Sequence, residues 1–219
     1  MKERQFLLLY AVILVLDLFQ VYTDGSFRIA TKPMIMISLI IYFLWRKSVT
    51  PNKQHHLWNG VFTIALIAAL AGELLLLSDS LFLYGLLAFL IMQIGYMFVF
   101  FRERIGRPLL IGYATLLIIV VISVSLFIWE DAGSLRWPVL IYSSAICTMS
   151  YAALSRNPRL SGHKMVFLGT ILFIISDSVI ALHQFNTGID AGKLTVMITY
   201  GIAQYLIVIG MLRSVSYVQ

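Results

Sequence analysis

Cysteine occurs once in the 219 residues, at Cys147 inside an apolar run, which excludes an internal disulfide framework and any cysteine-based metal spacing. Charge is scarce as well. Asp, Glu, Lys and Arg together make up 12% of the chain, about half of what a soluble domain carries to keep its surface wetted, so a water-soluble globular fold is excluded. There is no HExxH motif, no repeat of solenoid length and no low-complexity segment. What is abundant is apolar. Hydrophobic residues make up 60% of the chain, and at roughly 20 residues per crossing the length holds about eight membrane spans and little else. The net charge of +6 fits basic cytoplasmic loops better than a nucleic-acid surface, and no nucleic-acid partner is expected.

Apolar runs bounded by charge, Gly or Pro predict spans at 6–21, 27–45, 57–77, 80–101, 109–128, 137–154, 164–184 and 194–212. The first resembles a signal peptide but lacks a small-residue cleavage site before Asp24-Gly25 and is read as a retained helix. Eight spans leave both termini on one side. That side collects Lys2, Arg4, Arg46, Lys47, Lys53, Arg102, Arg104, Arg107, Arg156, Arg159, Lys164 and Arg213, whereas the other holds only Arg28, Arg136 and Lys193. This 12 to 3 imbalance makes the fold class all-α: a single polytopic bundle over 1–219 of eight transmembrane helices, both termini cytoplasmic.

Ionisable groups inside spans are the informative residues, since each costs about 2.5–3.5 kcal/mol at a helix centre on insertion scales. Asp17, Lys32, Glu73, Asp177 and His183 are the ones present. With the orientation above, Asp17, Lys32, Glu73 and Asp177 all fall in the extracytoplasmic half, which points to a shared polar cavity, while His183 reads as interfacial. Ala65, Ala69 and Glu73 recur at i+4 beside Gly72, a small-residue stripe that lets a neighbouring helix approach the carboxylate. Phe173, Asp177 and Ala181 repeat the spacing on the seventh span, Tyr200 and Gln204 share a face of the eighth, and Tyr142 enters from the outer end of the sixth.

The chain also resembles the YhhN-type lysoplasmalogenase-like membrane proteins. The resemblance is carried by Thr31-Lys32-Pro33, Gly72-Glu73, Phe82-x-x-Gly85-x-x-x-Phe89, Gly169-x-x-x-Phe173-x-x-Ser176-Asp177 and Tyr200-x-x-x-Gln204, in that order. Two departures stand out. Gly72-Glu73 replaces the family's usual Gly-Asp, and Gln93-x-x-Tyr96 replaces a usual His-x-x-Tyr; glutamate keeps a carboxylate with longer reach, whereas glutamine cannot exchange a proton near neutral pH.

The resemblance implies hydrolysis of the vinyl ether bond of lysoplasmalogens, with a lysophospholipid taken from the bilayer as substrate, no cofactor or metal, and residence in the bacterial cytoplasmic (inner) membrane. Such a bond breaks when an acid protonates its β-carbon and water captures the resulting oxocarbenium ion. Two carboxyl groups in different protonation states supply the acid and the base, and Glu73 and Asp177 are the candidates. Lys32 either holds one of them ionised or binds the substrate phosphate. Tyr142, Tyr200, Gln204, Gln93, Tyr96 and Ser176 are candidate substrate-binding or supporting residues. The main alternative is a non-enzymatic lipid-binding or proton-coupled transport protein. A metal-dependent hydrolase built on Asp177 and His183 is disfavoured, since six residues on a helix place them about 240° apart, and a ligand-free scaffold leaves the intramembrane charges without a purpose.

Overall fold

The structure is a computed structural model that describes residues 1–49, 56–105, 110–127, 129–185 and 192–215. Each of the eight apolar runs is a helix: α1 (Glu3–Tyr22), α2 (Arg28–Val49), α3 (His56–Leu75), α4 (Phe82–Arg102), α5 (Ile111–Phe127), α6 (Arg136–Ser155), α7 (His163–Phe185) and α8 (Lys193–Val215). No strand occurs among the described residues. In a hydrocarbon layer the helix satisfies every backbone donor and acceptor within its own segment, so long apolar runs leave little other choice. Pro138 sits in the first turn of α6, where its missing amide costs nothing; among the described residues only Pro33, buried within α2, removes an interior helix bond.

Among the described residues seven helices are long and apolar enough to cross a membrane, while α5, with 17 residues, is shorter. Its length corresponds to about 25 Å at 1.5 Å per residue, less than the ~30 Å hydrocarbon core. Large apolar side chains face outward as well as inward, Leu8 at 69% and Ile111 at 75% exposure among them, which suits a surface solvated by lipid. The chain is an all-helical integral membrane protein. Lys53 and Arg107, two of the loop cations used to orient it, lie outside the described residues.

Two compact units divide the chain within α4, Met1–Gly95 and Tyr96–Gln219. In the first, α1 packs on α2 and α2 on α3. Phe6 stacks on Tyr42 at 3.8 Å between ring centres and Phe43 meets Phe62 at 4.8 Å. A left-handed Asp24 (φ 47°) turns the chain between α1 and α2.

In the second unit α7 and α8 form the most extensive helix pair. Glycines set their separation: a Cβ on Gly169 would lie 2.8 Å from the Ala203 carbonyl oxygen, and one on Gly210 would lie 2.9 Å from that of Gly162. Hydroxyl groups link the neighbouring helices, Tyr113 to Ser150 at 2.6 Å and Ser150 to Thr170 at 2.9 Å. Arg156, counted above as a loop cation, is fully buried. Its Nε donates to Glu103 at 2.7 Å and its guanidinium also donates to Ser214 Oγ at 2.8 Å, tying the ends of α4, α6 and α8 together.

Candidate active site

In the first unit Ala65, Ala69 and Glu73 all lie on the buried face of α3, each at 1% exposure or less. The small-residue face expected from their spacing is the packed face. A Cβ on Gly72 would stand 2.7 Å from the Phe89 ring, so this glycine lets α4 lie against α3 next to the carboxylate. Lys32, near the start of α2, is 8% exposed. The charge it feels most strongly is Glu73, followed by Arg28 and Asp17. Asp17 on α1 is fully buried and accepts the Thr31 hydroxyl at 2.8 Å. Three helices thus bring Asp17, Arg28, Lys32 and Glu73 within electrostatic reach of one another. Gln93 on α4 is fully buried, and neither its Nε2 nor its Oε1 has a hydrogen-bond partner among the described residues.

In the second unit the Tyr142 hydroxyl on α6 donates a hydrogen bond to Oδ2 of Asp177 on α7. Asp177 itself is half-buried, whereas its neighbour Ser176 is fully buried and donates to the Val196 carbonyl on α8 at 3.2 Å. The carboxyl therefore stands at the edge of the packed face. Phe173, one turn earlier, meets the Tyr200 ring edge-on at 5.5 Å. Tyr96 donates to Gln204 Oε1 at 2.9 Å, and Gln204 Nε2 reaches Tyr200 at a longer 3.4 Å, so the amide of Gln204 links two phenols. His183 is exposed near the end of α7.

Of the residues singled out in the sequence, the structure brings Lys32 to Glu73, Tyr142 to Asp177, and Tyr96 and Tyr200 to Gln204. Glu73 belongs to the first unit and Asp177 to the second. The participant that sequence reasoning passed over is Arg28, taken for a loop cation; its spacing of four from Lys32 was the available signal. Chemically, a phenol that engages one carboxyl oxygen fixes the orientation of the group and directs the other oxygen elsewhere, as a group that exchanges a proton with a substrate requires.

Curated relatives share part of the sequence. A pig protein named lysoplasmalogenase TMEM86B is 28% identical over 151 residues, 68% of this chain and 62% of its own length, so the chain spans less than two thirds of that relative. Rat and mouse proteins of the same name are 29% and 28% identical over 178 residues, 81% of this chain and 70% and 73% of theirs. No solved structure matches. The YhhN family pattern runs through residues 27–211, from the turn before α2 into the last turns of α8, and the chain belongs to the YhhN family.

Proposed function

We propose that this protein is a membrane hydrolase that cleaves the vinyl ether bond of lysoplasmalogens, releasing a fatty aldehyde and a glycerophospho-head group. The similarity to relatives named lysoplasmalogenase supports the reaction. The observation that carries the chemistry is the Asp177 carboxyl, set within an apolar helix and bonded by a phenol from the neighbouring one.

In this reading Glu73 and Asp177 are the catalytic carboxyl groups, and the chain works as a single eight-helix domain with cytoplasmic termini in a bacterial cytoplasmic membrane. One carboxyl group gives its proton to the β-carbon of the alkenyl chain. The positive charge that develops on the ether-bearing carbon is balanced by the other, ionised carboxylate, which also takes a proton from the attacking water. The hemiacetal formed then collapses: the first carboxylate takes the hemiacetal hydroxyl proton, the carbon–oxygen bond to glycerol breaks, the second carboxyl group gives the proton it took from water to the departing glycerol oxygen, and the aldehyde leaves. One water is consumed and both carboxyl groups return to their starting states. Tyr142 orients Asp177, and Tyr96, Tyr200, Gln204, Gln93 and Ser176 support the site or contact the glycerol.

The test is incubation of purified protein with lysolipids carrying alkenyl, alkyl or acyl chains. Aldehyde from the alkenyl lipid alone is the expected result. Fatty acid released from the acyl lipid, with no aldehyde, overturns the reading in favour of an esterase.

A further inference from the structure

The first turns of α2 hold two cations that the hydrolytic step does not use. Arg28 opens the helix and Lys32 follows four residues later, so both project from one face. Like charges at this spacing repel, and an ammonium inside a membrane span is costly without a partner. Lys32 is nonetheless 8% exposed, and the Nε of Arg28 is buried with no acceptor among the described residues.

The nearby carboxylates offset the two charges but leave the Arg28 Nε without an acceptor among the described residues. Asp17 feels both cations, yet the hydrogen bond its Oδ1 accepts comes from Thr31 at 2.8 Å, and its Oδ2 accepts none among the described residues. Glu73 acts on Lys32 by charge. The amino end of α2 adds its own positive potential beside the pair. An anion with several acceptor oxygens, seated against Arg28 and Lys32, would satisfy the guanidinium fork and the ammonium together and remove the repulsion between them.

We infer that Arg28 and Lys32 form the subsite for the phosphate of a lysolipid head group. The lipid identity rests on the hydrolase reading above; the phosphate chemistry rests on the two cations alone. Seated there, the phosphate fixes the glycerol end of the substrate relative to Glu73, whose charge is the strongest that Lys32 feels.

Binding to the full-length protein in detergent, followed by tryptophan fluorescence, tests this without requiring turnover. The probes are a 1-O-alkyl lysophosphatidylethanolamine, which has no vinyl ether to cleave, the matching 1-O-alkylglycerol, which has no phosphate, and inorganic phosphate. The wild type is expected to bind the phospholipid about tenfold or more tightly than the alkylglycerol, as charge-assisted bonds to a phosphate imply. R28Q and K32Q each lower that preference severalfold without changing alkylglycerol affinity, while R28K and K32R retain most of it, which separates loss of charge from loss of fold.

A phosphate preference that persists in R28Q and K32Q, with both variants melting like the wild type, overturns the subsite. Inorganic phosphate that binds as tightly as the lysophospholipid overturns the head-group assignment in favour of a free-anion site. Aldehyde release is scored separately. A wild type that prefers the phospholipid but yields no aldehyde sinks the hydrolase reading and leaves the subsite standing; cleavage with no phosphate preference does the reverse.

Discussion

The Tyr142 hydroxyl on α6 is hydrogen-bonded to Oδ2 of Asp177 on α7. A phenol and a carboxyl on neighbouring spans form a defined pair inside an apolar segment, and the interaction gives each partner a distinct mutational signature. Tyr142→Phe removes one oxygen and leaves the ring in place. Turnover should fall by up to about a hundredfold, at or below the low end of what a positioned acid or base contributes, with KM nearly unchanged. Asp177→Asn removes the proton-exchanging group and should abolish aldehyde release. Full activity in purified Asp177→Asn would take this residue out of the mechanism.

Glu73 invites a graded comparison. Glu73→Gln preserves shape and burial but cannot cycle a proton, so aldehyde release should disappear while the protein remains extractable and folded. Glu73→Asp, which installs the shorter carboxylate usual at this position in the family that the sequence resembles, should retain measurable turnover. Rates for the two variants, measured on the same alkenyl lysolipid, decide the matter: equal loss in both would mean that reach and packing, rather than proton transfer, set the requirement.

Gln93 makes a stability prediction independent of activity. Its carboxamide is fully buried, and neither polar atom has a partner among the described residues. Leaving a buried polar group unsatisfied costs about 1–3 kcal/mol, so Gln93→Met, similar in volume and without polar atoms to satisfy, should raise the melting temperature in detergent. If Gln93 contacts the glycerol, the same variant loses activity as it gains stability. A lower melting temperature would show that the amide is satisfied in solution.

The helices were legible because the bilayer imposes long apolar runs, and their ends fall within four residues of the expected limits. The burial of Glu73 was legible for a related reason: Ala65 and Ala69 mark the face that a neighbouring helix can approach. The half-burial of Asp177 was not. Ser176 and Asp177 are one step apart on α7, and the spacing of Phe173 and Ala181 does not decide which of the two faces the core. Arg156 was misread because a basic residue at the end of a span looks like a loop cation, and nothing local announces that Glu103, 53 residues earlier, supplies its counter-charge. Long-range pairing leaves no periodic trace in the chain, whereas the membrane's demand for apolar length does.

Close packing of α7 on α8 depends on glycine at positions where backbone meets backbone. A methyl group at Gly169 would lie 2.8 Å from the Ala203 carbonyl oxygen and equally close to the Ile207 side chain, and a carbonyl cannot swing aside as a flexible side chain can. Gly169→Ala should therefore separate the helices and cost about 1–3 kcal/mol, as overpacking generally does. Because Ser176 and Phe173 are anchored to α8 from the same helix, activity should fall along with the melting temperature. An unchanged melting temperature would contradict the close approach.

The buried Arg156–Glu103 pair, with oxygen and nitrogen 2.5 Å apart, permits a sharper test than a single substitution. Removing one partner of a buried pair leaves an uncompensated charge and typically costs about 3–5 kcal/mol. Glu103 is 19% exposed at its side chain while Arg156 is fully buried, so the penalty is asymmetric: Glu103→Gln strands a buried guanidinium, whereas Arg156→Met leaves a carboxylate that water can still reach. Glu103→Gln should therefore be the more destabilising single change, and the double variant should be more stable than Glu103→Gln alone, because it removes the stranded charge as well. Thermal melts of the two singles and the double in one detergent complete the cycle. Additive losses would mean that the two residues do not act as a pair, and that the backbone bonds from Ile105 to Ser155 and from Asn157 to Glu103 hold the ends of α4 and α6 without them.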